Sequence, residues 1–135
     1  MIESNICTTI EQSKSLIKLG LDVNTHDMWY EDYDEIHVGK HSDIINNGYL
    51  YRKDYVLPAW SLTNLLSILP KRIIFEERIY RPILCSNYKG YYWMEYIDDC
   101  FDNILKETDN YDTPIDVVHE MLVFLFKEGY IKQDV

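Results

Sequence analysis

Apolar residues recur at helical spacing in three places along the chain, and between them the period shortens toward two. The first helical stretch runs from about Thr9 to Leu19, with Ile10, Ser13 and Ile17 on one face and Glu11, Lys14 and Lys18 turned away. Thr8 is the expected N-cap and Glu11 its reciprocal partner. Gly20 is the expected left-handed stop, and Leu21 should fold back on the last turn. The second stretch, from about Leu62 to Leu69, places Leu62, Leu65, Leu66 and Leu69 on one stripe. Ser61 caps it, Pro70 ends it, and Trp60 precedes the cap as a hydrophobic staple. The third, from about Pro114 to Glu128, has the fullest set of signals. Thr113 caps it, Pro114 opens the first turn, Asp116 sits at the positive end of the dipole, and Gly129 closes it.

This last helix is apolar over about 200° of its circumference, where one sheet face needs only about 100°. Ile115, Val118, Leu122, Leu125 and Phe126 fill the main arc, and Val117, Met121 and Phe124 widen it. Cover on two sides is therefore expected. Either another helix of the same chain supplies it, or a second copy does, with Val117, Met121 and Phe124 as the homodimer interface.

The intervening segments predict short strands at Met28–Tyr30, Ile36–Val38, Tyr49–Tyr51 and Tyr55–Leu57, with a turn at Asn46-Asn47-Gly48. From Ile73 to Ile97 the residues favour strand. The expected hairpin pairs about Arg78–Cys85 with Tyr91–Ile97 around Asn87-Tyr88-Lys89-Gly90. Tyr91, Trp93 and Ile97 face one way, and Tyr92, Met94 and Tyr96 the other. Pro82 cannot donate to a ladder, so its strand should be an edge or bulged there. Asp98–Glu107 reads as a short helix with Phe101, Ile104 and Leu105 inward. The fold class is α+β: a small antiparallel sheet of short strands and hairpins packed against about three helices, N-terminal, central and C-terminal.

At 135 residues the chain fits one globular domain, residues 1–135, large enough to hold a core without metal or disulfide. The net charge of −10 disfavours direct nucleic-acid binding and anionic membranes, and permits a basic protein partner. Three cysteines, Cys7, Cys85 and Cys100, with no Cys-x-x-Cys, point to a reducing compartment. The opening residues have neither the basic nor the apolar region of a signal peptide, and no apolar run reaches the length of a membrane span. A cytoplasmic protein with no membrane association is expected.

Candidate chemistry is sparse. His37 and His41, with Asp34, Glu35 and Asp43 nearby, are the one metal-like cluster. On a strand, residues at i and i+4 lie about 13 Å apart, too far to share one ion, so a polar loop is the plainer reading. Asp98, Asp99 and Asp102, and separately Asp109, Asp112 and Asp116, are carboxylate groups without calcium-loop spacing, and helix dipoles account for them. The cysteines read as inert thiols, and His26 and His119 as local hydrogen-bonders. No phosphate loop or nucleophile elbow occurs. Hence no catalytic residue, metal or cofactor is expected, and an enzyme is disfavoured. Twelve tyrosines and three tryptophans are the strongest functional hint. Trp29, Tyr30, Trp60, Tyr91 and Trp93 are the expected interaction surface.

The succession Thr9-Ile10-Glu11-Gln12-Ser13-Lys14, Gly20-Leu21, Thr25-His26-Asp27-Met28, Pro58-Ala59-Trp60-Ser61-Leu62, Leu69-Pro70, Pro114-Ile115-Asp116, Glu120-Met121 and Gly129-Tyr130-Ile131 resembles a group of small uncharacterised proteins. Prophages and mobile elements of gut bacteria encode that group. The resemblance implies a cytoplasmic phage or mobile-element setting and supplies no activity. The leading expectation is an interaction or accessory protein that binds another protein through an acidic, Tyr/Trp-rich surface. One alternative is a small enzyme or small-molecule binder with a pocket near Trp60. Another is an acidic nucleic-acid mimic, which requires both aspartate groups along one face.

Overall fold

A computed structural model describes residues 6–47 and 56–131. The fold is α+β: the described residues form four α-helices and two antiparallel sheets where the sequence led us to expect one. Helix α1 spans Ile10–Leu19. Strands β1 (Met28–Glu31) and β2 (Glu35–Val38) form a hairpin, a short helix α2 covers Ser42–Asn47, and β3 covers Val56–Ala59. Helix α3 is Leu62–Ile68. Strands β4 (Ile73–Phe75), β5 (Arg78–Ser86), β6 (Tyr92–Asp98) and β7 (Ile104–Glu107) follow, and α4 is Pro114–Lys127. The small sheet has the order β2-β1-β3 and the large one β4-β5-β6-β7.

Local signals account for most of these limits. Thr9, one residue later than expected, caps α1. Its side chain accepts from Gln12 N–H while the Gln12 side chain accepts from Thr9 N–H, so Gln12 replaces Glu11 in the capping box. Thr8 is instead buried, its hydroxyl 2.7 Å from that of Ser13. Gly20 takes φ 107° as the left-handed stop, and Leu21 N–H returns to the Leu16 carbonyl at 3.0 Å. Ser61 and Thr113 cap α3 and α4 as expected.

Two expected local elements take another form. Residues 98–107 are not helical, because Ile104–Glu107 pairs with Glu95–Ile97 as the fourth strand, and Phe101 is 68% exposed with φ 59°. Asp98 makes the tight turn instead: its carboxylate accepts from the N–H groups of Asp102 and Asn103 and from the Asn103 side chain. Asn46 and Asn47 end α2 rather than forming a hairpin turn. Gly48, the strand expected at Tyr49–Tyr51, and Tyr55 lie outside the described residues.

Pro82 shows why a sheet tolerates it. Strand β5 is central, yet β4 pairs only with Arg78–Tyr80, so Pro82 faces β6 on one side and has no β4 partner on the other.

Helix α4 packs on β6, α1 and α3. Its residues Val117, Val118, Met121, Leu122 and Leu125 join Leu16, Trp60, Leu65, Tyr80, Met94 and Tyr96 in the main core. The two-sided cover expected for this helix thus comes from within the chain. Val117 and Met121 have no exposed surface, so they cannot form the homodimer interface expected of them, and Phe124 is half-buried against Tyr130. A second, smaller core gathers Cys7, Met28, Tyr30, Leu57 and Ala59 beneath the small sheet, with Ile17 of α1 packed against both cores.

Candidate functional site

The five aromatic residues expected to share a surface are divided by the fold. Alternation along β1 turns Met28 and Tyr30 inward, and the Tyr30 hydroxyl donates to the Thr8 carbonyl at 2.7 Å. Burial drives the pKa of that phenol well above its ordinary value. Trp60 is also fully buried, its indole N–H donating to the Thr25 hydroxyl at 3.0 Å. Neither residue can touch a partner. Beside Trp60, both Asp27 oxygens accept from Ser61, one from its N–H and one from its hydroxyl, so Asp27 anchors the start of α3. Blocks 25–28 and 58–62 therefore meet around Asp27 and Ser61, beside the enclosed Trp60.

Tyr91 and Trp93 do reach the surface, on the large sheet. Met94 and Tyr96 of β6 point into the core. Alternation then sends Trp93 and Glu95 to the opposite face, with Ile83 and Cys85 as their neighbours on β5 and Glu107 opposite Glu95 on β7. Ile74 and Ile79 of the β4–β5 pair continue this outer face. It remains open: Ile74 is 63%, Tyr91 44% and Ile83 36% exposed. Hydrogen bonding between the two carboxyl groups raises the pKa of Glu107, and the Trp93 indole N–H donates to Glu95 at 3.3 Å. Burial first, then the charges of Glu95 and Glu107, push the Cys85 thiol up, which makes it a poor nucleophile. Cys7 is likewise raised, mainly by burial, and Cys100 is exposed.

On the small sheet, Trp29 and Glu31 face away from the small core, opposite His37 and Glu35. The His37 ring lies parallel to the Trp29 indole at 4.2 Å, and the His41 ring meets the same indole edge-on at 4.4 Å. His37 Nε2 stands 3.0 Å from Glu31 Oε1 and 3.5 Å from Glu35 Oε2. Sequence spacing singled out His37 with His41, whereas the hairpin joins His37 to Glu31 and Glu35. The missing signal was the β1–β2 register, which no local motif marks. His41 serves elsewhere, its N–H donating to His26 Nε2 at 3.0 Å and its Nδ1 accepting from Asp43 N–H.

The aspartate groups are also divided. Asp98 is 4% exposed and holds the 98–103 turn, and its hydrogen bonds from Asn103 lower its pKa most. Asp99 pairs with Arg81 at the surface. Asp109 N–H donates to Glu120, and the Asp116 carboxylate accepts from the Gln12 side chain at 2.6 Å. His119, its pKa lowered mainly by burial, contacts the Ser15 hydroxyl at 3.2 Å.

One cleft stands apart. Phe75, Tyr80, Ile104, Leu105, Phe124 and Tyr130 line a volume of about 420 Å³ at the C-terminal end of α4, with Glu128 as the carboxylate among the lining residues.

No protein-family model matches the chain, and neither a curated protein nor a solved structure is similar to it. Its geometry alone bears on function.

Proposed function

We propose that the protein is a non-enzymatic accessory protein of a phage or mobile element, acting in the cytoplasm, and that it binds another protein through the outer face of β4–β7. The observation that carries this reading is the open face itself. An antiparallel sheet usually turns polar residues to water, yet here Ile74, Ile79, Ile83, Tyr91 and Trp93 occupy it. Tyr and Trp are enriched at recognition surfaces because they bring large rigid rings with a polar edge. The Glu95–Glu107 pair at the centre and the net charge of −10 favour a partner with a basic, apolar patch. Among the described residues no helix is long and apolar enough to cross a membrane.

Capture from the native host, with and without phage genes expressed, tests the reading. The intact protein should retain a partner that Ile83→Asp/Trp93→Ser loses while its circular dichroism spectrum is unchanged. An identical set of captured proteins from both forms would falsify the assignment of this face.

The cleft at the end of α4 supports a second reading, a binder of small molecules. It lies apart from Trp60, where the sequence placed the expected pocket. For the nucleic-acid mimic, Asp98 is buried within its turn, while Asp99 and Asp102 stay exposed.

A further inference from the structure

The β1–β2 hairpin carries a donor set that the docking surface does not use. Glu31 and Glu35 are direct cross-strand partners, and His37 is the next residue but one on β2. Alternation places all three on one face. Their donor atoms lie within 4.8 Å of one another, and two of the separations are 3.0 and 3.5 Å. Ligands about 2.0–2.2 Å from one ion, at tetrahedral or octahedral angles, stand about 3.0–3.5 Å apart. The set is therefore nearly closed to coordination distance already.

Three further features suit an ion. Stacking on Trp29 fixes the imidazole plane with Nε2 toward both carboxylates. The tip is tied to α1, since the Lys14 ammonium lies 4.6 Å from the Tyr33 ring centre. Like charges directly opposite on a sheet repel, and Asp32 and Asp34 add two more carboxylates to the same five-residue stretch as Glu31 and Glu35. A cation between Glu31 and Glu35 turns that repulsion into attraction. Glu35 is 71% exposed, so water can complete the coordination.

We propose that the hairpin binds one divalent transition-metal ion, zinc being the first to test, through His37 Nε2 and one oxygen each of Glu31 and Glu35. A single imidazole with two carboxylates is a borderline donor set that suits zinc better than calcium or magnesium.

Calorimetric titration of zinc chloride into the metal-free full chain should give saturable binding with one ion per chain and a raised melting temperature. Glu31→Gln/Glu35→Gln and His37→Ala should each weaken binding at least about tenfold. Cys100→Ser, which removes an exposed thiol, should leave it unchanged. Circular dichroism of the metal-free variants separates lost ligands from lost folding, and the single Glu35→Gln change serves if the double variant unfolds. Absence of saturable binding at about millimolar zinc, or full binding by the hairpin variants, overturns the proposal. Neither result bears on the large-sheet docking face.

Discussion

His26 illustrates how much one side chain can hold. It is fully buried, with Nδ1 2.7 Å from the Val23 carbonyl and Nε2 accepting from His41 N–H. Those partners require the neutral ring with its proton on Nδ1. Burial lowers its pKa below the ordinary 6.5, and His119 is shifted the same way. In the folded chain both rings take up a proton less readily than in the unfolded one. The stability they contribute is present above 6.5 and is lost as pH falls toward the lowered folded values. The melting temperature should therefore fall between about pH 7.5 and 5.5. His26→Gln should be less stable at the upper end and show a shallower fall; an unchanged pH slope would count against this role. The sequence marked His26 as a local hydrogen-bonder. It could not show that Trp60, read as a staple and a surface aromatic, is enclosed from Thr25 to α4, because that enclosure joins segments far apart in the chain.

Among the elements, the helices were legible because their signals are local. Caps, stops and a 3.6-residue period lie within a dozen positions, and three of the four helices appear within a residue or two of the expected limits. The hairpins were harder. At the β4–β5 turn Glu76 and Glu77 have φ 50° and 67°, and at the β1–β2 turn Asp32 and Tyr33 have φ 51° and 60°. Both conformations are ones that Asn and Gly adopt with least cost. The residues present carry no such signal, so neither turn could be read from sequence. Strand β7 was hidden likewise, since Phe101, Ile104 and Leu105 mimic a helical stripe while pairing with β6 decides the outcome. Replacing Glu76-Glu77 by Asn-Gly should relieve the backbone and the adjacent charges and stabilise the protein by about 1 kcal/mol, read from the urea midpoint at constant slope.

For the molecule as a whole, α4 is the axis. Its broad apolar arc is satisfied by α1, α3 and the large sheet. Met121→Ala should cost about 2–5 kcal/mol, as for other fully buried large-to-small changes. The loss should be the same at micromolar and hundredfold higher concentration, because the side chain is enclosed by its own chain. A concentration-dependent loss would restore the homodimer. From sequence, the arc was plain and the identity of its cover was not, since periodicity reports that a face is buried without saying against what.

Among the described residues the two sheets share no hydrogen-bonded strand, and Ile17 packs against both cores that lie beneath them. Backbone pairing therefore stops at the boundary between them, and cooperativity must cross it through side chains and the Asp27–Ser61 anchor. The β1–β3 layer, resting on the smaller core, is expected to exchange its amide hydrogens faster than β5 and β6, and equal protection of the two sheets would count against this. A partner gripping the large sheet should then slow exchange there and leave the amides of the small sheet unchanged.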